Sequence, residues 1–265
     1  MNNQHNKELI RERYNKLALN PKISKGCGCK PMDPSEKQFT ITSEGYESTK
    51  GYVDEADLGI GCGLPVQYAG IKKGDTVIDL GSGAGNDCFI ARKEAGTEGR
   101  IIGIDFAQNM ISRAKANAHR RGFTNVNFVE GDIEQVPLQD ETADVIISNC
   151  VLNLIPNKRK VFNEIYRLLR PNGHFCVSDI VVNGIFPKTF IDEASLYAGC
   201  IATAIQEDEY LGYIKEANFK GVRIVRRKRA NIPQEVINTH LNKEQIEKLC
   251  NGEIGIYSIT VIGEK

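Results

Sequence analysis

The run DLGSGAG is the first segment of the chain whose residue types indicate a binding site. Its candidate ligand-binding residues are Asp79, Gly81, Ser82, Gly83 and Gly85. The glycines let the backbone turn sharply and let a ligand approach with no Cβ in the way. A dinucleotide loop has the pattern GxGxxG, but Asn86 stands where the third glycine would be. A pyrophosphate also prefers an uncharged loop at a helix N-terminus. The Asp79 carboxylate therefore favours a cationic group, such as the ammonium of an amino acid.

Two further acids follow the next two apolar runs of the chain. Asp105 ends the run RIIGID, where a carboxylate can accept hydrogen bonds from both hydroxyls of a ribose, and Phe106 is placed to lie on a purine face. Asp132 and Ile133 follow the run VNFV, where Asp132 can accept from an adenine amino group. Receptors for an ammonium, a ribose and an adenine, in this order, fit S-adenosylmethionine. The alternative is that the acids only cap loops.

Eight cysteines are the second chemical feature, at positions 27, 29, 62, 88, 150, 176, 200 and 250. No two of them form a CxxC pair, which argues against a zinc finger or a thioredoxin-type site. Cys150 follows the run DVIIS, and ligands of doubly wound sheets bind where parallel strands end. Asn149 beside it is predicted to line the cofactor site. Cys88 and Cys176 lie within apolar segments and are predicted to be core residues.

The elements that must position these residues alternate between strand and helix. The strand-like runs are nearly continuously apolar, as parallel strands covered on both faces should be: Thr76–Leu80, Arg100–Asp105, Val126–Val129, Asp144–Ser148 and His174–Val182. The helix-like segments between them are Asn86–Ala95, Gln108–Arg121 and Asn157–Leu169. This alternation predicts a doubly wound α/β sheet. Around it, the sequence predicts a helix over 4–19, a loop over 20–51, helices near 190–200 and 206–217, and strands over 221–229 and 255–263, which suggest an antiparallel edge.

Composition limits the functions that this chain can have. Its 265 residues form one large domain or two small ones, and 34 basic residues balance 34 acidic ones. This balance gives no electrostatic footprint for nucleic acid. No apolar run approaches the ~20 residues that span a bilayer, and the first residues lack the apolar stretch of a secretory signal. We therefore expect a cytoplasmic protein, with reduced thiols and no nucleic-acid or membrane partner.

Several motifs together resemble the class I S-adenosylmethionine-dependent methyltransferases. They are VIDLGSGAG, IIGIDF, EGDIEQVPLQDETADVIIS, the LLRPNG turn and ANFKGV, which span residues 71–230. The resemblance implies a Rossmann-like sheet of seven strands with the last strand antiparallel to the rest. It also implies S-adenosylmethionine as cofactor.

The segments around the cysteines resemble the arsenite methyltransferases, almost from end to end of the chain. The matching words are KGCGCKP, GIGCGLP, SNCVLNL, AGCI and IYSITVIGEK. The resemblance implies that Cys62, Cys150 and Cys200 bind trivalent arsenic. It implies that Cys29 or Cys27 exchanges thiols during turnover, with a reductant such as thioredoxin or glutathione. A soft trivalent metalloid does prefer thiolates to imidazole or carboxylate ligands.

The sequence thus predicts three regions: an N-terminal helix and thiol-bearing loop over 1–70, a cofactor-binding core over 71–182, and a substrate-side insert with the closing strands over 183–265. The predicted reaction is methylation of arsenite, in which the arsenic lone pair attacks the sulfonium methyl group. Two alternatives remain open. One is a methyltransferase for an organic small molecule, which leaves the ordered cysteines unexplained. The other is a non-catalytic thiol protein that senses or sequesters soft metalloids.

Overall fold

The computed structural model describes residues 3–19, 49–197 and 200–265. At its centre is a seven-stranded sheet with the order β3-β2-β1-β4-β5-β7-β6. In chain order the strands are β1 Thr76–Leu80, β2 Arg100–Asp105, β3 Val126–Glu130, β4 Ala143–Asn149, β5 Leu169–Asn183, β6 Lys220–Arg229 and β7 Gly255–Glu264. The first five strands pair in parallel, and β7 lies antiparallel between β5 and β6. The predicted doubly wound sheet with an antiparallel last strand is confirmed.

The helices cover the sheet and extend it at one end. They are α1 Asn3–Leu19, α2 Pro65–Tyr68, α3 Asn86–Ala95, α4 Gln108–Arg120, α5 Lys158–Leu168, α6 Lys188–Tyr197, α7 Glu207–Glu216, α8 Gln234–His240 and α9 Lys243–Asn251. Short 3-10 turns cover Asp54–Ala56 and Leu152–Leu154. The sequence did not predict α8 and α9, because each is short and has few apolar residues. Within the described ranges, no helix combines the length and the apolarity needed to cross a bilayer.

The core lies on both faces of the sheet. Val77 of β1 packs in one apolar cluster with residues of α3 and α4, whereas its neighbour Ile78 packs in a second cluster with residues of α5 and α7. Successive strand residues point to opposite faces, and both faces are covered here. This explains why β1 is apolar at nearly every position and why its bounds match the sequence prediction.

A third apolar cluster joins residues of α6, α8 and α9 to the last part of β5 and the first part of β7. It contains Cys62, Cys150 and Cys200, whereas Cys88 and Cys176 belong to the cluster under α3 and α4. The fold therefore separates the three cysteines that resemble arsenic ligands from the two that were predicted to be core residues. No disulfide links any cysteine in the part of the chain that the structure describes.

Helix α1 packs against α4, which itself covers the sheet. The Asn109 backbone N–H donates to Asn15 Oδ1 at 2.9 Å, and Arg113 Nη1 donates to the Ala18 carbonyl at 3.1 Å. The Lys7 ammonium bonds Asp132 and Glu134, each at 2.6 Å. These contacts place the N-terminal helix beside the carboxyl ends of β2 and β3.

Candidate active site

A cavity opens at the carboxyl ends of the central strands and encloses about 940 Å³, including open solvent at its mouth. Most of the residues predicted to bind cofactor line it: Asp79, Gly81, Ser82, Gly83, Asp105, Phe106, Asp132, Ile133 and Asn149. Cys150 lines the same cavity. The strand ends bring these positions together because parallel neighbours all finish at one edge of the sheet.

The glycine loop has the left-handed backbone that the sequence pattern suggested. Gly81 has φ 77°, and a Cβ at that position would lie 2.4 Å from Val151 Cγ2. Gly85, also predicted to bind cofactor, is not among the residues that line the cavity and is the N-cap residue of α3, with φ 97°. A Cβ there would lie 2.7 Å from Phe128 Cζ, so this glycine is explained by the packing of α3 on the sheet.

Asp105 ends β2 with both carboxylate oxygens directed at backbone amides. Oδ2 accepts from the Gly83 N–H at 2.9 Å, and Oδ1 accepts from the Ala107 N–H at 2.8 Å. Burial raises the pKa of this carboxyl to about 6, against the lowering effect of the backbone donors. Asp105 therefore does cap the loop, as the alternative interpretation of the sequence proposed. Each carboxylate oxygen still has a further lone pair for a ligand hydroxyl, so the two roles are compatible.

Asp79, the penultimate residue of β1, is almost completely buried, with 2% of its surface exposed. Burial raises its pKa well above the usual range, and the negative charges of Asp87 and Asp105 raise it further. The Cys88 thiol donates to Asp79 Oδ2 at 3.3 Å, so Cys88 is a core residue, as predicted, that also contacts the site. Three acids around one cavity make an environment that favours a cationic ligand.

Two thiols meet at the edge of this cavity. The sulfurs of Cys62 and Cys150 and one carboxylate oxygen of Asp179 all lie within 4.8 Å of one another, and all three residues are buried. Cys150 has φ 60°, a left-handed conformation that is uncommon outside glycine and concentrates at functional sites. Its backbone N–H donates to the Ser178 carbonyl at 2.8 Å, which ties the end of β4 to β5.

Cys62 is held against three strands, although it precedes the core in sequence. Its backbone N–H donates to Asn149 Oδ1 at 3.0 Å, and its carbonyl accepts from Ser258 Oγ at 2.5 Å. The thiol lies 3.5 Å from the Ser178 carbonyl. At Gly63, a Cβ would lie 2.6 Å from Ser178 Oγ, so the residue after Cys62 must be glycine for this close approach. The sequence Gly61-Cys62-Gly63 is therefore explained by the close packing of this segment on β5 as well as by the chemistry of the thiol.

Cys200 is buried in the same apolar cluster as the thiol pair. Its carbonyl accepts from Asn153 Nδ2 at 2.9 Å. The Cys200 sulfur does not belong to the group formed by Cys62, Cys150 and Asp179. It therefore lies more than 4.8 Å from the ligand atom of at least one of these residues. The structure thus brings together two of the three cysteines predicted to bind arsenic and places the third nearby. Cys27 and Cys29 lie outside the described residues.

The sequence analysis missed several residues of the site. Lys7 and Tyr14 of α1 line the cavity, but nothing in the sequence connects a helix at the N-terminus with the strand ends. Asp179 lies inside the apolar run of β5, and an acid at a buried strand position could have been recognised from the sequence as a candidate site residue. It accepts from Tyr210 Oη at 2.7 Å, and burial raises its pKa to about 7.

Comparison with known proteins identifies the family. The family model described as a methyltransferase domain matches residues 71–218. The arsenite methyltransferase of Halobacterium salinarum is 38% identical over 232 residues, which are 83% of this chain and 59% of that protein. The arsenite methyltransferase of Aquipseudomonas alcaligenes is 34% identical over 172 residues, which are 62% of this chain and 49% of that protein. The chain therefore spans about half the length of these curated relatives.

Among solved structures, the arsenic(III) S-adenosylmethionine methyltransferase of Chlamydomonas reinhardtii superposes with a TM-score of 0.63 at 32% identity. The match covers 77% of this chain and 67% of that chain. The family model alone matches more than half of this sequence. The chain therefore belongs to the S-adenosylmethionine-dependent methyltransferases and, within them, resembles the arsenite methyltransferases, as the sequence motifs predicted.

Proposed function

We propose that the protein transfers a methyl group from S-adenosylmethionine to trivalent arsenic held by cysteine thiolates. The observation that carries this proposal is the buried pair of sulfurs from Cys62 and Cys150, at the edge of the cavity that the glycine loop lines. A methyltransferase for an organic acceptor has no need of two converging thiols. Soft thiolates are the ligands that a soft metalloid prefers. Cys200, buried close by, is the proposed third ligand.

The residues of the cavity suit the cofactor of this family. The proposed partner of its ammonium is Asp79, and the proposed partner of its ribose hydroxyls is Asp105. Phe106 and Ile133 would flank the adenine, with Asp132 as acceptor for the adenine amino group. The backbone of Gly81, Ser82 and Gly83 would lie along the cofactor. These assignments are supported by two observations. The residues line one cavity, and the acids around it favour a cation.

The chemistry requires little of the protein beyond positioning. The cofactor, when bound, supplies an electrophilic methyl group on a sulfonium. Cys62 and Cys150 would hold arsenic so that its lone pair points into the cavity. That lone pair carries no proton, so no protein base is needed there. Holding two reactants in line can itself contribute several kcal/mol to catalysis. Thiolates bind only when deprotonated, so arsenic affinity should rise with pH toward a thiol pKa of about 8.5.

The remaining predictions concern the regions around this core. Cys29, or Cys27, is proposed to exchange thiols with the product complex, and thioredoxin or glutathione is the proposed source of electrons. The division into a thiol-bearing segment over 1–70, a cofactor core over 71–182 and a substrate side over 183–265 stays a prediction.

The direct test is incubation of the reduced protein with arsenite, glutathione and S-adenosylmethionine labelled in the methyl group. Labelled methylarsenicals among the products would support the proposal. Binding of arsenite and cofactor without any methylated product would favour a sensor. Failure of arsenite to bind, with labelled methyl transferred to an added quinol, would favour the organic-acceptor alternative.

Cofactor affinity is expected to rise with pH from about 5 to about 7. Burial raises the pKa of Asp105 to about 6 and that of Asp79 well above its usual range, so both carboxyls hold protons in the ligand-free fold at low pH. Ligand-free stability from these groups is therefore largest below the unfolded pKa of about 4 and is lost as pH rises through the folded pKa. A bound cation favours the ionised forms and releases protons.

Titration calorimetry at several pH values, in buffers of different ionisation enthalpy, measures this proton release. A flat affinity across this pH range, with no proton release, would contradict the proposal that the two acids ionise to bind a cationic ligand.

Asn149 is proposed to position Cys62. Its Oδ1 accepts from the N–H groups of Cys62 and Gly63 at 3.0 and 3.2 Å, and its Nδ2 donates to the Gly63 carbonyl at 2.8 Å and to Asp87 Oδ2 at 3.1 Å. An Asn149→Ala variant should raise the KM for arsenite about tenfold or more, since each lost bond is worth about 1 kcal/mol. The rate at which iodoacetamide alkylates Cys62 should change with it.

The matched control is Asn125→Ala, which removes an amide that anchors the Gly96 and Gly99 carbonyls away from this site. That variant should lose stability with no change in KM. Equal effects of the two variants on KM and on alkylation would mean that Asn149 has only a structural role.

A further inference from the structure

Asp179 is a buried acid to which neither the sequence analysis nor the methylation chemistry gives a role. It lies in the middle of β5, in the run VSDIVV, and is 1% exposed. One of its oxygens shares a space at most 4.8 Å across with the sulfurs of Cys62 and Cys150. A carboxylate is a hard ligand and is not needed to bind trivalent arsenic. Its place beside two thiols therefore requires a separate explanation.

The two oxygens of this carboxylate differ in how well they are hydrogen-bonded. Oδ2 accepts the hydrogen bond from Tyr210 Oη at 2.7 Å. Oδ1 is buried and, among the described residues, makes no hydrogen bond of normal geometry, although the backbone N–H groups of Val151 and Asn153 lie close enough to the carboxyl to lower its pKa. Most buried polar atoms in proteins are hydrogen-bonded, and a buried acceptor without a full hydrogen bond calls for an explanation, of which a bound ion or water is one. The Oδ1 atom belongs to the same carboxyl that approaches the thiol pair.

The net charge of the three side chains and their surroundings also favours a cation. Lys158 is buried, with its ammonium donating to the carbonyls of Asn153 and Ile155 at 3.0 and 3.1 Å, and its charge acts on Asp179. Two thiolates and a carboxylate carry three negative charges. The Lys158 ammonium neutralises one of them. A divalent cation would neutralise the other two, and a buried cluster of charges is tolerated only when it is close to neutral.

We propose that Cys62, Cys150 and Asp179 form a binding site for a borderline divalent cation, with Zn²⁺ as the best match. Two sulfurs and one oxygen are a donor set that zinc accepts, with three protein ligands and a fourth position left for water. Zinc bonds of about 2.0–2.3 Å in a tetrahedron place ligand atoms roughly 3.3–3.8 Å apart. The present spacing of at most 4.8 Å needs to close by only about an ångström in reaching that geometry.

This site shares its two thiolates with the proposed arsenic site, so the two ions would compete. The Asp179 carboxylate distinguishes the two ions, because only one of them is expected to bind it. Zn²⁺ takes oxygen as well as sulfur ligands, whereas trivalent arsenic prefers thiolates throughout. Removing the Asp179 charge should therefore weaken zinc and leave arsenite binding unchanged. The inference rests on the same thiols as the proposed function, but it does not require that methylation occur.

The test uses the reduced 265-residue chain with Cys27 and Cys29 both replaced by serine, so that those thiols cannot bind the probe. Titration calorimetry with Zn²⁺ should show one ion per chain. Asp179→Asn should lower that affinity at least about tenfold, since a charged ligand becomes a neutral one. Co²⁺ should show intense tetrahedral bands and sulfur charge-transfer bands in the parent protein, and Cys62→Ser should remove them. Cys250→Ser, at an exposed position, is the control and should change neither result.

Asp179→Asn keeps the side-chain shape and an oxygen for Tyr210, and thermal unfolding with cofactor binding checks its fold. Absence of stoichiometric Zn²⁺ binding, or equal affinity in Asp179→Asn and its parent, would overturn the site. Loss of the Co²⁺ bands in Cys62→Ser supports the site even if Asp179→Asn does not fold, and their persistence overturns it. Arsenite binding in Asp179→Asn should stay at the parent value. Zinc binding without methylation would refute the proposed function alone, and methylation without zinc binding would refute this inference alone.

Discussion

A Cys150→Ser variant is expected to lose arsenite methylation by at least about a thousandfold, while S-adenosylmethionine binds within about threefold of its normal affinity. The hydroxyl of serine is a hard, weakly acidic ligand that cannot replace a thiolate on arsenic. Cys150 lines the cavity and its sulfur lies within 4.8 Å of that of Cys62, so it would hold arsenic beside the proposed cofactor site. Single-turnover assays with labelled cofactor, together with calorimetry for cofactor binding, measure both quantities.

The matched control is Cys176→Ser. Cys176 is a buried thiol on the neighbouring strand β5, and its sulfur donates to the Pro65 carbonyl at 3.2 Å, a bond that a serine hydroxyl can also make. That variant should lose stability at most and keep methylation. If Cys150→Ser retained activity in a well-folded protein, or if Cys176→Ser lost it, the division between ligand and core cysteines would be wrong.

An Asp105→Ala variant should bind S-adenosylmethionine more weakly by about 1.5–3 kcal/mol, as expected for hydrogen bonds to a charged group. That range is roughly a ten- to hundredfold rise in Kd. The carboxylate is the proposed acceptor for the ribose hydroxyls, and it also holds the Gly83 and Ala107 amides in place. Its removal therefore affects both the direct contact and the shape of the loop. Arsenite binding at the thiols should persist.

The control for this effect is Asp75→Ala. The Asp75 carboxylate also accepts from a backbone amide, that of Lys72 at 2.7 Å, but in an exposed turn outside the cavity. Calorimetry of both variants separates a lost ligand contact from a lost loop contact. Unchanged cofactor affinity in Asp105→Ala would remove Asp105 from the cofactor site, and an equal loss in both variants would assign the effect to general destabilisation.

The cofactor side of the site could be predicted because it depends on the order in which strands and acidic residues follow one another along the chain. In a parallel sheet every strand ends at the same edge, so acids placed after successive strands converge without any knowledge of their side-chain contacts. Asp79, Asp105 and Asp132 follow this rule, and all three line one cavity. The bounds of β1 and β2 were predictable for a related reason, since strands buried on both faces are apolar throughout.

The thiol half was only partly predictable. Motif resemblance singled out Cys62, Cys150 and Cys200, but spacing along the chain does not say which sulfurs meet. The docking of Cys62 depends on Asn149, Ser178 and Ser258, which come from three different strands. Contacts of this kind are set by the crossing of distant segments, and no local pattern records them.

The sequence by itself determined the class of fold, the cofactor family and the cysteines of interest, because hydrophobic period and short motifs are local properties of the chain. Only the tertiary structure decided that Lys7 and Tyr14 reach the cofactor cavity, that Cys62 pairs with Cys150, and that Asp179 stands beside them. These neighbours are far apart in sequence. Their meeting depends on how α1 packs against α4, on the left-handed conformation of Cys150, and on the position of β5 between β4 and β7. The physical reason is that side-chain proximity across a sheet edge is fixed by packing, which the whole chain determines together.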